Sequence, residues 1–316
     1  MAQKNDKLVT IFGGGGFIGR YVVQNLFLEG VRIRDAERDP KRAWFLKPLG
    51  PLGQTQFVAA DVRDPDSVAR AVAGSDVVIN MVGVLKGDLE AFHVRGAANV
   101  AQTAAQAGAR TLVHVSAIGA DPDSPSDYGR SKGRGEQAVR EAFPDATIIR
   151  PSIVFGPEDN FISKFAAMGR QLPVLPVIAP NARFQPVYVV DLAQAIAAAA
   201  LDPFKHAGKV YELGGPQVFT MAELNTSIAR LTGRPGKTMA IIPDAIGRLM
   251  ARLSGWLPGA PITMDQWRML QVPNVVGGDA KGFEAFGIRP QPFEAVAETW
   301  LTPYRKGGRF GVKSPY

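Results

Sequence analysis

Three side chains in this sequence could move a proton together. Tyr128 and Lys132 stand four apart, and on a helix they share one face. An ammonium beside a phenol favours the phenolate and lowers its pKa. Ser116 lies twelve residues before Tyr128, at the end of an apolar run, where its hydroxyl could hold a carbonyl oxygen. The set suits proton transfer during hydride exchange at a C–O centre. The same residues could instead anchor a ribose with no turnover, and their types and spacing leave both readings open.

A second constellation precedes them. Gly13, Gly16 and Gly19 follow the apolar run Leu8–Phe12 and open a stretch with helical periodicity. Glycines here let the backbone turn and let a pyrophosphate approach the amides of a helix N-terminus. Phe17 and Ile18 lie within the same turn. The next strand ends in Asp35-Ala36-Glu37-Arg38, with Lys41 and Arg42 close behind, and Arg20 follows the last loop glycine. An acid at this place favours NAD, and an arginine accommodates the 2′-phosphate of NADP. The cations favour NADP(H) over NAD(H), against the plain alternative of a solvated charge cluster. Asp61, at the tip of a third strand and followed by Val62, is placed to accept from an adenine amino group.

These residues need a scaffold. Strand signals at Leu8–Phe12, Val31–Ala36, Phe57–Ala60, Val77–Val82, Thr111–Val115 and Ala146–Ile149 alternate with helical patterns over 16–28, 67–73, 89–107 and 129–142. That alternation predicts an α/β fold with a doubly wound, Rossmann-like parallel sheet. The texture changes after Pro151, so the chain divides into a nucleotide-binding domain (1–159 plus about 184–215) and a smaller C-terminal docking or substrate lobe (160–183 plus 216–316).

Composition narrows the function. With 46% hydrophobic and 21% charged residues among 316, the chain is globular. It has no cysteine and three scattered histidines, which argues against a metal site. A net charge of +7 fits an anionic ligand, membrane or acidic partner and is too mild for nucleic acid. No run reaches the roughly 20 apolar residues of a spanning helix, and Met1–Lys7 lacks the apolar core of a signal peptide.

Gly13-x-x-Gly16-Phe17-Ile18-Gly19, Asp61-Val62, Ser116, Tyr128-x-x-x-Lys132, Arg150-Pro151 and Pro186-Val187-Tyr188-Val189-x-Asp191 resemble the extended or atypical short-chain dehydrogenase/reductase family. Within it, Gly19-Arg20-Tyr21-Val22-Val23, Glu37-Arg38-Asp39-Pro40, Asn80-Met81-Val82-Gly83, Phe143-Pro144-Asp145-Ala146 and the segment 149–159 look like the nucleotide-binding accessory subunits of respiratory complex I, of α-proteobacterial type. The resemblance implies a tightly held NADPH and contacts from Val82, Gly83, Pro151 and Ile153. It also implies complex I subunits of the peripheral arm as partners, on the cytoplasmic side of the inner membrane. Two departures weaken the case for chemistry. His93-Val94-Arg95-Gly96 stands where active members carry Asn-Val-x-Gly, and Phe12 stands where enzymes often carry threonine. The rival reading is an active NADP-dependent reductase, dehydrogenase or sugar-nucleotide epimerase; a nucleotide-sensing regulator is a third.

Three segments could meet a partner. Leu172–Ile178 is apolar and broken by prolines, hence an exposed docking loop or a cover over the cleft. Residues 243–257 read as a basic amphipathic helix with Ile246, Leu249, Met250, Leu253 and Trp256 on its stripe, suited to an anionic bilayer or to its own domain. The tail after Thr302 is basic.

Overall fold

The computed structural model describes residues 6–255, 262–305 and 307–308. Two compact units are present: Met1–Pro151 with Val189–Leu213 and Gly277–Arg289, and Ser152–Tyr188 with Gly214–Val276 and Pro290–Tyr316.

The first unit is built on β1 (Leu8–Phe12), α1 (Phe17–Leu28), β2 (Arg32–Glu37), β3 (Thr55–Ala59), α2 (Pro65–Val72), β4 (Val77–Asn80), α3 (Gly96–Gln106), β5 (Thr111–Val115), α4 (Asp127–Ala142) and β6 (Thr147–Pro151). With the strand Val210–Leu213 they form a seven-stranded sheet in the order 210–213, β6, β5, β4, β1, β2, β3. Every ladder is parallel. The predicted doubly wound sheet is therefore the observed fold. All residues of β4 and β5 are buried, because helices cover both faces of a parallel sheet. On one face Val68, Val100, Ala104, Leu112, Val139 and Ile148 interlock. Each such fully buried Val, Leu or Ile contributes about 1.5–3 kcal/mol. On the other, α1 packs against the helix Val189–Leu201. Strand order reverses between β1 and β4, and ligands of such sheets bind in the crevice at that switch.

The helix expected over 89–107 is really two pieces. A π-helical turn, Glu90–Arg95, leads into α3, and its extra residue per turn shifts the face on which His93 lies. The segment Pro40–Leu49 winds as a 3₁₀ helix that no sequence periodicity announced.

In the second unit, Phe155, Ile162, Leu224, Ile228 and Phe293 form a separate core. The run 172–178 is more than an exposed loop. Leu175–Ile178 pairs in parallel with Met239–Ile242 in a two-stranded sheet, burying Leu175 and Val177, while Leu172 and Val174 stay exposed. Proline is accommodated because this strand has a neighbour on one side only. The helix Asp244–Ser254 turns Gly247 and Ala251 inward and leaves Ile246, Leu249 and Leu253 exposed. Trp256 and Leu257 lie outside the described residues, as do Lys306 and 309–316 of the basic tail. Arg305 of that tail pairs with Glu298 at 2.9 Å. Among the described residues no helix is long and apolar enough to cross a membrane.

Candidate functional site

The glycine loop leaves β1 at the switch point. Gly13 has φ +91°, a left-handed conformation that favours glycine. A Cβ on Gly19 would lie 2.1 Å from the Gly13 carbonyl oxygen, so only glycine lets α1 pack this closely on the loop. A Cβ on Gly16 would meet only that same oxygen, at 3.2 Å, and otherwise points into open space. Gly16 caps α1 with no side-chain hydrogen bond, and the first turn, from Phe17 through Ile18, holds no acid. Free amides and the positive end of the helix dipole thus face the crevice, and a pyrophosphate fits there.

At the end of β2 the mixed acids and cations sort themselves. Asp35 is fully buried, against Gly14, whose absent Cβ would lie 2.3 Å from its Oδ1. Glu37 Oε1 accepts from the Gly15 amide at 2.9 Å. Burial, then the Glu37 carboxylate, pushes Asp35 up to about 8, with the Gly14 amide opposing. Both acids thus turn under the loop, while Arg38 is exposed and sits 5.6 Å above the Phe92 ring. The Arg20 guanidinium lies 4.7 Å over Phe45.

Asp61 meets a residue that sequence reasoning passed over. Arg63 Nε donates to Oδ1 at 3.0 Å and Nη2 to Oδ2 at 2.6 Å, and hydrogen bonding to this guanidinium holds the carboxyl below the usual carboxylate range. Arg63 also lies 4.6 Å over Phe92, so one ring carries Arg38 and Arg63. Val62 is buried, and its carbonyl accepts from Asn99 at 2.8 Å. The Val82 amide donates to Asn80 Oδ1 at 3.1 Å, and Gly83 next to it is exposed. Pro151 ends β6, its carbonyl accepting from Ile118 at 3.0 Å. Ile153 belongs to the second unit, where its amide donates to Asn274 Oδ1 at 3.0 Å.

Ser116 follows β5 with its side chain buried, and its amide donates to Ile149 at 2.7 Å. Ser126 caps α4 through the Gly129 amide at 3.0 Å, which sets Tyr128 and Lys132 on the first turns. Lys132 is buried and donates to the Val115 carbonyl at 2.9 Å, tying α4 to the residue before Ser116. The pKa expectation for the phenol is not met. Burial pushes Tyr128 up to about 12 and pulls Lys132 down to about 8, the latter opposed by Glu136. Desolvation sets the shift of the phenol, while the Lys132 ammonium is directed at the Val115 carbonyl.

His93 is the departure that matters most. Its Nε2 accepts from the Val84 amide at 3.0 Å, which leaves Nδ1 to carry the proton and donate to Ser131 Oγ at 2.8 Å. Ser131 Oγ donates in turn to the Tyr128 carbonyl at 2.8 Å. The ring stands edge-on to Tyr128 at 5.5 Å. Burial, helped by Lys132, drops its pKa to about 3. His93 is thus a neutral strut joining the segment after β4 to α4. One turn beyond Lys132, the buried Glu136 takes Arg150 in two hydrogen bonds of 2.9 and 2.7 Å, and Arg150 reaches Glu212 at 3.3 Å.

Comparison with known proteins agrees with this architecture. The profile of the NAD dependent epimerase/dehydratase family matches residues 9–214. The chain is 34% identical to NADH dehydrogenase (ubiquinone) 1 alpha subcomplex subunit 9, mitochondrial, of Arabidopsis thaliana, covering 95% of this chain and 79% of that one. It is 36% identical to the protein of the same name from Rattus norvegicus, covering 94% and 80%. Among solved structures it resembles the NADPH-dependent quinone oxidoreductase QOR2 of Escherichia coli, complexed with NADPH, with a TM-score of 0.72 at 19% identity over 93% of this chain and 99% of that one. The parallel sheet, the glycine turn at its switch point and the match across two thirds of the sequence together place the chain in the NAD dependent epimerase/dehydratase family.

Proposed function

We propose that this chain is an NADPH-binding, non-catalytic accessory subunit of respiratory complex I, held on the peripheral arm at the cytoplasmic face of a bacterial inner membrane. The observation that carries the assembly role is the 34–36% identity over 94–95% of the chain to mitochondrial proteins whose names place them in NADH dehydrogenase. In this reading Gly13, Gly16, Phe17, Ile18 and Gly19 cradle the pyrophosphate. Arg20 and Arg38 receive the 2′-phosphate, and Asp61, Val62, Val82 and Gly83 line the adenosine end. Tyr128 and Lys132 hold the nicotinamide ribose, with Pro151 beside it. The bound nucleotide could supply a hydride; the chain's own residues here serve to hold it. His93 supports the non-catalytic reading, since both ring nitrogens are engaged and the ring does not take up a proton near neutral pH.

The test is a native gel of detergent-solubilised membranes with nucleotide assayed in parallel. The chain should co-migrate with complex I and carry about one NADPH per copy. A chain absent from that band fails the reading. The retention of Ser116, Tyr128 and Lys132 favours a second reading, an active NADP-dependent reductase, dehydrogenase or sugar-nucleotide epimerase. Turnover of roughly one per second, abolished by Tyr128→Phe, would establish it instead.

A further inference from the structure

Between Pro40 and Ala60 the sequence contains no acid, but it carries Lys41, Arg42 and Lys47 together with Trp44, Phe45, Leu49 and Leu52. Three residues per turn of the 3₁₀ segment put Lys41, Trp44 and Lys47 in one row beside β3, at the outer edge of the sheet, with Leu49 and Leu52 exposed after it, while Phe45 and Arg42 turn toward Arg20 and Glu37. Trp44 is 49% exposed and Leu52 wholly so. The exposure does not come from loose packing. Ala43 and Leu46 on the same turns are fully buried, and Asp39 accepts from the Lys41 amide at 3.2 Å to fix the start. Lys47 Nζ lies 4.9 Å over Trp44 and 5.8 Å from Phe57.

We infer that the surface formed by Trp44, Lys47, Leu49 and Leu52 docks an apolar, acid-rimmed face of a neighbouring protein subunit. This rests on the reading of the chain as a complex I subunit. Charge complementarity argues for an acidic rim, because Lys47 lies over Trp44, Lys41 stands one 3₁₀ turn before it, and the segment holds no acid. Half-exposed aromatic rings such as Trp44 are what protein interfaces use as anchors. A bilayer is the weaker occupant. Attraction of Lys41 and Lys47 to an anionic surface is worth only about 1 kcal/mol each.

Leu52→Glu and Lys47→Glu test this, with Lys47→Arg as the charge-keeping control. Neither position belongs to the proposed nucleotide site, and both side chains are exposed. In a strain carrying only the variant chain, each Glu variant should be depleted from the complex I band of a native gel by about tenfold or more, a hot-spot effect. Bound nucleotide and thermal midpoint should match the unaltered chain, and Lys47→Arg should incorporate normally. If the unaltered chain co-migrates and the Glu variants do so equally, the docking surface is refuted while the complex I reading stands. If the unaltered chain does not co-migrate, the complex I reading fails and the surface with it. A parallel arm sediments the chain with vesicles of equal phosphatidylglycerol and phosphatidylcholine. Binding that Leu52→Glu abolishes, with complex I incorporation intact, would assign the surface to lipid and overturn the proposal.

Discussion

Replacing Gly16 by valine separates the nucleotide's contribution to stability from that of the loop. A Cβ at Gly16 would meet only the Gly13 carbonyl oxygen, at 3.2 Å, and its φ of −75° suits any residue. The cost to the fold is then mainly that of a poor N-cap, about 1 kcal/mol or less. The two methyl groups, however, project where a pyrophosphate would approach the α1 amides. A ligand that binds only the folded chain stabilises it by about 2.7 kcal/mol at a hundredfold excess over its dissociation constant. For a unit of roughly this size that is an upward shift of about 5–10 °C in thermal midpoint. The unaltered chain should show this shift with NADPH in differential scanning fluorimetry, and Gly16→Val should show almost none while its nucleotide-free midpoint falls by only a few degrees. Gly19→Ala is the contrasting control. Its methyl would sit 2.1 Å from one backbone atom and 2.6 Å from others, and the loop must move to admit it. Overpacking of this kind costs about 1–3 kcal/mol with or without nucleotide. If NADPH stabilises Gly16→Val as much as the unaltered chain, the pyrophosphate does not lie on this helix terminus and the site is wrongly placed.

Other consequences can be measured directly. Arg38→Ala should weaken NADPH by about 1.5–3 kcal/mol, the worth of a charge-assisted contact, with a much smaller change for NADH; equal losses in titration calorimetry would remove the NADP assignment. His93 has a folded pKa of about 3 against an ordinary 6.5, so the unfolded chain binds the proton first. Its contribution is complete above about pH 6.5 and is lost as pH falls toward 3, reaching about 2 kcal/mol at pH 5. Urea denaturation at pH 7 and pH 5 should show this loss in the unaltered chain and a smaller one in His93→Phe; identical losses would refute the neutral strut. Glu136→Ala leaves Arg150 without its main partner in a largely buried setting and should destabilise the chain by about 3 kcal/mol. A change below about 0.5 kcal/mol, the range of ordinary surface substitutions, would show that Glu212 alone suffices for Arg150.

Much of the candidate site could be read before folding because it is local. The glycine turn occupies seven consecutive residues, and Tyr128 and Lys132 are one helical turn apart. Strands β4 and β5 announce themselves because burial on both faces demands unbroken apolar runs. What stayed hidden depends on contacts between distant segments. Phe92 joins Arg38 to Arg63 only across two strands' worth of chain, and Arg63 reaches its near neighbour Asp61 through the turn between β3 and α2. The π turn escaped because one added residue leaves an apolar pattern nearly unchanged while rotating His93 toward Ser131.

The sequence by itself determined the strand–helix alternation, the glycine turn and the placing of Tyr128 and Lys132 on one helix, because periodicity and backbone freedom are properties of neighbouring residues. Only the tertiary structure decided which way the side chains face and what they meet. Asp35 and Glu37 turn beneath the loop while Arg38 turns outward, and desolvation raises the Tyr128 pKa where adjacency to a lysine had promised to lower it. Ile246, Leu249 and Leu253 form the stripe that periodicity marks, yet they face outward, since an amphipathic pattern specifies a face and not its cover. Burial and charge pairing are sums over every segment that packs nearby, and no stretch of sequence contains that sum.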